Sequence, residues 1–150
     1  MRWIRPPGRV GCKGRSRAMG VFERLGSLFG RHAELPFDLD NPDLRVVAEA
    51  FDPAEADSAV LARSPRLRAS EKAVLRHHLT LPAAAVARAR ELLAQDGWEL
   101  RVVETGDPVR LHALRAQVIT ALSCAQERSR MAGLAQRLGG DASGWDCLQT

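Results

Sequence analysis

No tyrosine occurs among the 150 residues, and Phe, Trp and Tyr together make up only 5% of the chain. The strand-like segments therefore lack the paired aromatics on which an RNA-recognition sheet stacks bases, and that class of reader is not indicated. No apolar run approaches the roughly 20 residues needed to span a bilayer. Only three cysteines occur, Cys12, Cys124 and Cys147. They are widely spaced, and no CxxC or Cys/His ligand spacing exists, so neither a disulfide framework nor a zinc site is expected. A reducing, cytoplasmic setting is the simpler expectation.

Acid is absent from residues 1–18, which carry Arg2, Arg5, Arg9, Lys13, Arg15 and Arg17. This stretch lacks the apolar core of a secretory signal. Pro6-Pro7-Gly8, Gly11 and Gly14 prevent the amphipathic helix of a transit peptide. It reads as a disordered basic arm, or as an extension ahead of a true start at Met19. Of the 22 basic residues, six lie here, leaving 16 against 18 acids in the rest of the chain. The body is thus near neutral, without the field of a nucleic-acid-binding core.

Met19–Arg31 places Phe22, Leu25, Leu28 and Phe29 at helical spacing. The stretch suits packing on its own domain, a partner or a membrane surface. From Glu34 to Asp57 there are eight acids and one Arg, punctuated by Pro36, Pro42 and Pro53. A helix over Leu44–Ala50, capped by Asn41-Pro42-Asp43, and a second short helix from Asp52-Pro53 are expected. Ser64–Ser70 looks like a linker. Residues 19–69 therefore read as a helical and acidic extension, and residues 70–150 as the main domain.

Within that domain, Ala73–Leu81 is a strand pattern. Pro82 opens a helix over Ala83–Gln95 that ends at Asp96-Gly97. Trp98–Glu104 alternates Trp98, Leu100 and Val102 inward. Thr105–Pro108 is turn chemistry, and Val109–Ile119 reads as the second strand of a hairpin. Thr120 caps a helix to Leu138 with an apolar stripe of Cys124, Met131, Leu134 and Leu138. Gly139-Gly140 stops it, and Gly144–Gln149 is a closing strand anchored by Trp145. The order β-α-β-β-α-β predicts an α+β fold: a ferredoxin-like split sandwich. Right-handed crossovers put both helices on one face of an antiparallel sheet, with the last strand beside the first.

Histidines 77, 78 and 112 are the chemically suggestive group. Neighbours in a strand point to opposite faces, so His77 and His78 cannot share a site, whereas His112 could approach either. Two histidines with an acid would make a metal or acid–base site. Without HxH, HExxH or a paired carboxylate, structural roles are expected, with no metal, cofactor or catalytic residue. Cys124 and Cys147 fall in step with core positions, Ser123 has no elbow motif around it, and Gly139-Gly140 precedes no helix that could bind phosphate. The alternative is a small ligand-binding or enzymatic domain that uses His78 and His112 on the open sheet face.

Three motifs in Glu71–Gln149 carry a family resemblance. His77-His78-Leu79 leads into a Pro-containing helix entry, Gly97-Trp98 ends a helix and enters a strand, and a small acidic turn leads to Gly144-Trp145. With these, the segment resembles the regulator of ribonuclease activity B family, protein inhibitors of ribonuclease E. The family's last motif reads roughly Tyr-Asp-Gly-Trp-Gly, and here Asp146 stands where that motif ends in Gly. The resemblance implies a non-enzymatic regulator that binds a ribonuclease E-type endonuclease and restrains RNA processing. The core itself would bind no nucleic acid. An RNA-cleaving partner presents basic surfaces, so the acid-dense stretch is its expected contact, with Asp38, Asp40 and Asp43 foremost.

Overall fold

A computed structural model describes residues 37–150. The expected arm over 1–18 and helix over 19–31 lie outside the described residues. Five strands form one sheet: β1 Arg45–Ala50, β2 Lys72–Leu81, β3 Glu99–Glu104, β4 Val109–Val118 and β5 Asp141–Gln149. Every pairing is antiparallel, and the order is β1-β5-β2-β4-β3. Helix α1 (Asp57–Ala62) follows β1. Helix α2 (Val86–Ala94) follows a 3-10 turn at Ala83–Ala85, and α3 (Ala121–Arg137) joins β4 to β5. The architecture is α+β, a helical layer on an antiparallel sheet.

The sequence expects a helix over Leu44–Ala50, yet Arg45–Ala50 is an edge strand. Its Val46, Ala48 and Ala50 stand opposite Leu148, Cys147 and Trp145 of β5. Val46 and Val47 are β-branched, and the edge of β5 away from β2 offers a row of backbone groups with which this segment pairs as a strand. The second short helix is displaced too. Asp52 accepts the Ala54 amide at 2.8 Å and its carbonyl accepts the Glu55 amide, holding a turn, so helix begins only at Asp57.

The expected boundary near residue 70 is also absent, because residues 37–150 belong to one compact unit. The apparent linker is anchored at both ends. The Ser64 hydroxyl donates to the Val60 carbonyl at 2.7 Å. The buried Gln149 amide accepts the Arg68 N–H at 2.9 Å and donates to the Arg68 carbonyl at 3.1 Å.

The helices cover one face. From β2, Ala73, Leu75, Leu79 and Leu81 point into it and meet Ala89 and Leu93 of α2, Cys124, Met131, Leu134 and Ala135 of α3, and Val60 of α1. Thr120 and Ser123 form a reciprocal capping box at the start of α3, as the sequence predicts. Val102 departs from the expected alternation and is 46% exposed. It lies on β3, the outer strand, which has a neighbour on one side only.

Trp145 is wholly buried, and its indole N–H donates to the Asp57 carboxylate of α1 at 2.8 Å. Gly144 beside it has φ +147°, and a Cβ there would lie 2.4 Å from the Ala50 carbonyl oxygen. Only glycine lets β1 and β5 approach this closely. A register shift opposite His78–Leu79 leaves Ser143 as the unpaired residue of a bulge.

Candidate functional site

The face away from the helices carries even-numbered residues of β2 and β4. In register, Arg76 faces Leu114 and His78 faces His112. On the other flank, Arg76 faces Asp146 and His78 faces Gly144. The period of two thus gathers Arg76, His78, His112 and Asp146 into one patch across three strands. His77 is directed to the opposite face, as its sequence position requires.

Asp146 is the hub. Its Oδ1 accepts Arg76 Nε at 2.8 Å, and its Oδ2 lies 2.7 Å from Arg76 Nη2 and 2.9 Å from His78 Nε2. The residue is only 3% exposed. Burial alone would raise its pKa, but the hydrogen bonds from His78 and Arg76 outweigh burial and hold the carboxyl below its usual value. The His78 ring meets His112 edge-on at 4.5 Å between centroids and Phe51 at 5.0 Å. Burial, followed by the nearby charges of His78 and Arg76, lowers His112 to a pKa of about 4. It is a neutral imidazole at physiological pH.

A strap formed by residues 37–44 crosses the same face. Asp40 accepts Arg101 of β3 at 2.6 and 3.3 Å. Leu39 and Leu44 line a recess with Val74, Leu114 and Leu148, two of which, Val74 and Leu114, are buried on this otherwise open side. Asp38 and Asp43 remain exposed. Asp38 turns its Oδ1 onto the Asp40 amide at 2.9 Å, and Asp43 has its own amide held by Asn41. Of the three acids expected to meet a partner, Asp40 is therefore engaged within the fold, and Asp38 and Asp43 present free charge.

His77 lies on the helix side, 1% exposed and packed edge-on against Trp98 at 5.4 Å. Burial lowers its pKa to about 3. Gly97 and Trp98 act at the start of β3: Trp98 is 3% exposed and takes the Arg115 guanidinium 4.4 Å above its ring. Leu79, Cys124 and Cys147 are core, and burial pushes both thiols up to about 12, far from a reactive thiolate. Among the described residues, no group of three or more His, Cys, Asp or Glu is arranged to hold a metal ion.

The sequence singles out His78 and His112 but not the two residues that organise them. Arg76 and Asp146 lie 70 positions apart. The only sequence signal for Asp146 was its departure from the Gly of the motif it resembles. Among the described residues, no helix is long and apolar enough to cross a membrane. Comparison of the chain with protein-family models, curated proteins and solved structures finds no match.

Proposed function

We propose that this chain is a non-enzymatic regulatory protein of the cytoplasm that binds a basic protein surface. The partner implied by its resemblance is a ribonuclease E-type endonuclease, whose RNA processing it would restrain. The reading extends to the fold's finer class, a ferredoxin-like unit formed by β2, α2, β3, β4, α3 and β5. Their sheet order β5-β2-β4-β3 supports that class. The observation that carries the functional reading is the fixed acidic strap. Asp40 is clamped by Arg101, and its neighbours Asp38 and Asp43 stand exposed on a turn already ordered before any partner arrives. A preordered charged turn loses little conformational entropy on binding and steers a basic partner by its field. The two carboxylate oxygens of Asp146 take Arg76 and His78, so its part is to hold those two side chains in place.

The test uses the full chain and the host endonuclease on a model RNA. Cleavage slows with wild type, and inhibition weakens as salt rises, since exposed charges are screened beyond about 8–10 Å. The Asp38→Asn/Asp43→Asn double variant loses inhibition while keeping its melting temperature. Full inhibition by that variant would refute the acidic contact, and no inhibition by wild type at micromolar concentration would remove the endonuclease as partner.

A second reading, a small-ligand or enzymatic site on the open face, draws on one observation. His78 is oriented by Asp146 and stacked beside a neutral His112. An oriented imidazole next to an unprotonated one can share a proton with a bound molecule. Histidine side-chain resonances of this pair that stay fixed across a small-molecule library would count against it.

A further inference from the structure

Two strands bound the sheet, β1 and β3, and their outer edges differ. Residues 63–66 run alongside β1 and line a recess with residues 46–49. Arg63 Nη2 donates to the Glu49 carbonyl at 3.0 Å, and Arg66 Nη2 donates to the Val46 carbonyl at 3.1 Å. Those guanidinium groups take acceptors on which another strand would depend, so β1 is a blunted edge. Strand β3 has no such cover. It pairs with β4 on one side, and among the described residues no side chain hydrogen-bonds to its backbone. Val102 and Val103 are 46% and 49% exposed on it.

The two faces of this edge differ in chemistry. Glu99 and Arg101 stand opposite Leu114 and His112, on the open face of the sheet, whereas Val102 stands opposite Leu111 on the helix side. The register shift after Val102 then brings Glu104 opposite Arg110, back on the open face, where the two form an ion pair. Asp40 of the strap pairs with Arg101 from the same side and has Asp38 next to it. Asp38, Asp40, Glu99 and Glu104 thus outnumber Arg101 and Arg110 on the open side of the edge. On the helix side the edge shows the exposed Val102 beyond the buried Leu100.

We propose that β3 accepts an extended segment of a partner protein as a sixth strand, its side chains alternating between lysine or arginine and a β-branched apolar residue. The basic side chains lie beside Glu99 and Glu104 on the open face, and the apolar ones cover Val102 on the helix side. Backbone hydrogen bonds supply the affinity, and the alternation supplies the selectivity. The pairing rests on the regulatory reading for the partner's being a basic protein, but strand addition is measurable without the endonuclease.

The probe is the peptide acetyl-Lys-Val-Lys-Val-Lys-Val-amide, titrated into the full chain labelled with ¹⁵N. Amides of residues 99–104 should shift together, exchange more slowly with solvent, and saturate at millimolar concentration or below. Three control peptides should each bind at least about tenfold more weakly, the fold-change of one or two lost hydrogen bonds or ion pairs. They are the same residues in blocks, Lys-Lys-Lys-Val-Val-Val, the alternating peptide N-methylated at every residue, and the alternating peptide with Glu for Lys. Val102→Lys should weaken the alternating peptide to the same extent, since a lysine on an edge repels a basic strand. Should that variant fail to fold, Glu104→Lys, at an exposed position, should do so instead. The proposal is overturned if the alternating peptide does not bind, if its shifts fall outside residues 99–104, or if any control peptide binds as well. Peptide pairing without endonuclease inhibition would uphold the edge and remove that enzyme as its partner, and inhibition without pairing would do the reverse.

Discussion

Asp146 reaches diagonally from β5 to His78 on β2, its Oδ2 lying 2.9 Å from His78 Nε2. The residue directly opposite His78 is Gly144. With no side chain in that place, the imidazole has room to meet the carboxylate two positions along. The same carboxylate holds Arg76, so one buried acid ties together two side chains of the neighbouring strand.

Removing that acid should be costly. Asp146→Ala strips Arg76 of its counter-charge and His78 of its hydrogen-bond partner, each with 22% side-chain exposure. A loss of roughly 2–4 kcal/mol is expected, toward the lower end of buried ion pairs because both partners keep some water. The Arg76→Met/Asp146→Leu double variant should lose less than Asp146→Ala, since no unpaired charge remains. Urea unfolding of the three proteins checks the order, and a double variant less stable than the single one would contradict it.

Acid should destabilise the fold before its carboxylates titrate. His77 and His112 have pKa values of about 3 and about 4 when folded, against an ordinary value of 6.5. The unfolded chain therefore binds more protons between those limits. Stability is complete above pH 6.5 and falls as pH drops toward 4, by up to about 1.4 kcal/mol per pH unit for each histidine. The depressed carboxyl of Asp146 acts in the same direction at lower pH. Unfolding free energies at pH 7.5, 5.5 and 4.5 test this, and His77→Leu should flatten the slope.

Trp145 ties the last strand to the first helix. Trp145→Ala should cost about 3–5 kcal/mol, as for other large buried aromatics. Trp145→Phe keeps much of the packing but strips Asp57 of the indole N–H, and should cost about 1–3 kcal/mol. Thermal melts of both separate the packing from the hydrogen bond. A chain truncated after Gly140 should not fold, because β5 joins β1 to β2.

Gly144→Ala should be far more damaging than an alanine elsewhere. The new Cβ would press on the Ala50 carbonyl from a backbone at φ +147°. A loss of more than about 1 kcal/mol is expected, with β1 loosened first. Amide hydrogen exchange should show faster exchange in residues 45–50 than in β2 and β4. By contrast, Arg101→Ala, which frees the exposed end of the strap at Asp40, should cost no more than about 1 kcal/mol.

Whatever depends on local periodicity was legible in the residues alone. Alternation in Ala73–Leu81 and Val109–Ile119, the Thr120 cap and Gly97 specify β2, β4, α3 and the end of α2, because their signals lie within a few residues of the structure they form. The sequence also placed His77 and His78 on opposite faces, a consequence of the pleat alone. The rest depends on contacts between segments far apart in the chain. Leu44–Ala50 reads as a helix when considered alone, and Arg45–Ala50 is a strand because the edge of β5 supplies backbone partners. The linker at 64–70 became fixed because Gln149, some 80 positions later, closes on Arg68. Val102 is exposed because β3 ended up outermost, a matter of strand order that no local pattern encodes. The polar patch of Arg76, His78, His112 and Asp146 exists because β5 lies beside β2 in one register. A shift of a single residue would have turned Asp146 into the core and Trp145 toward solvent.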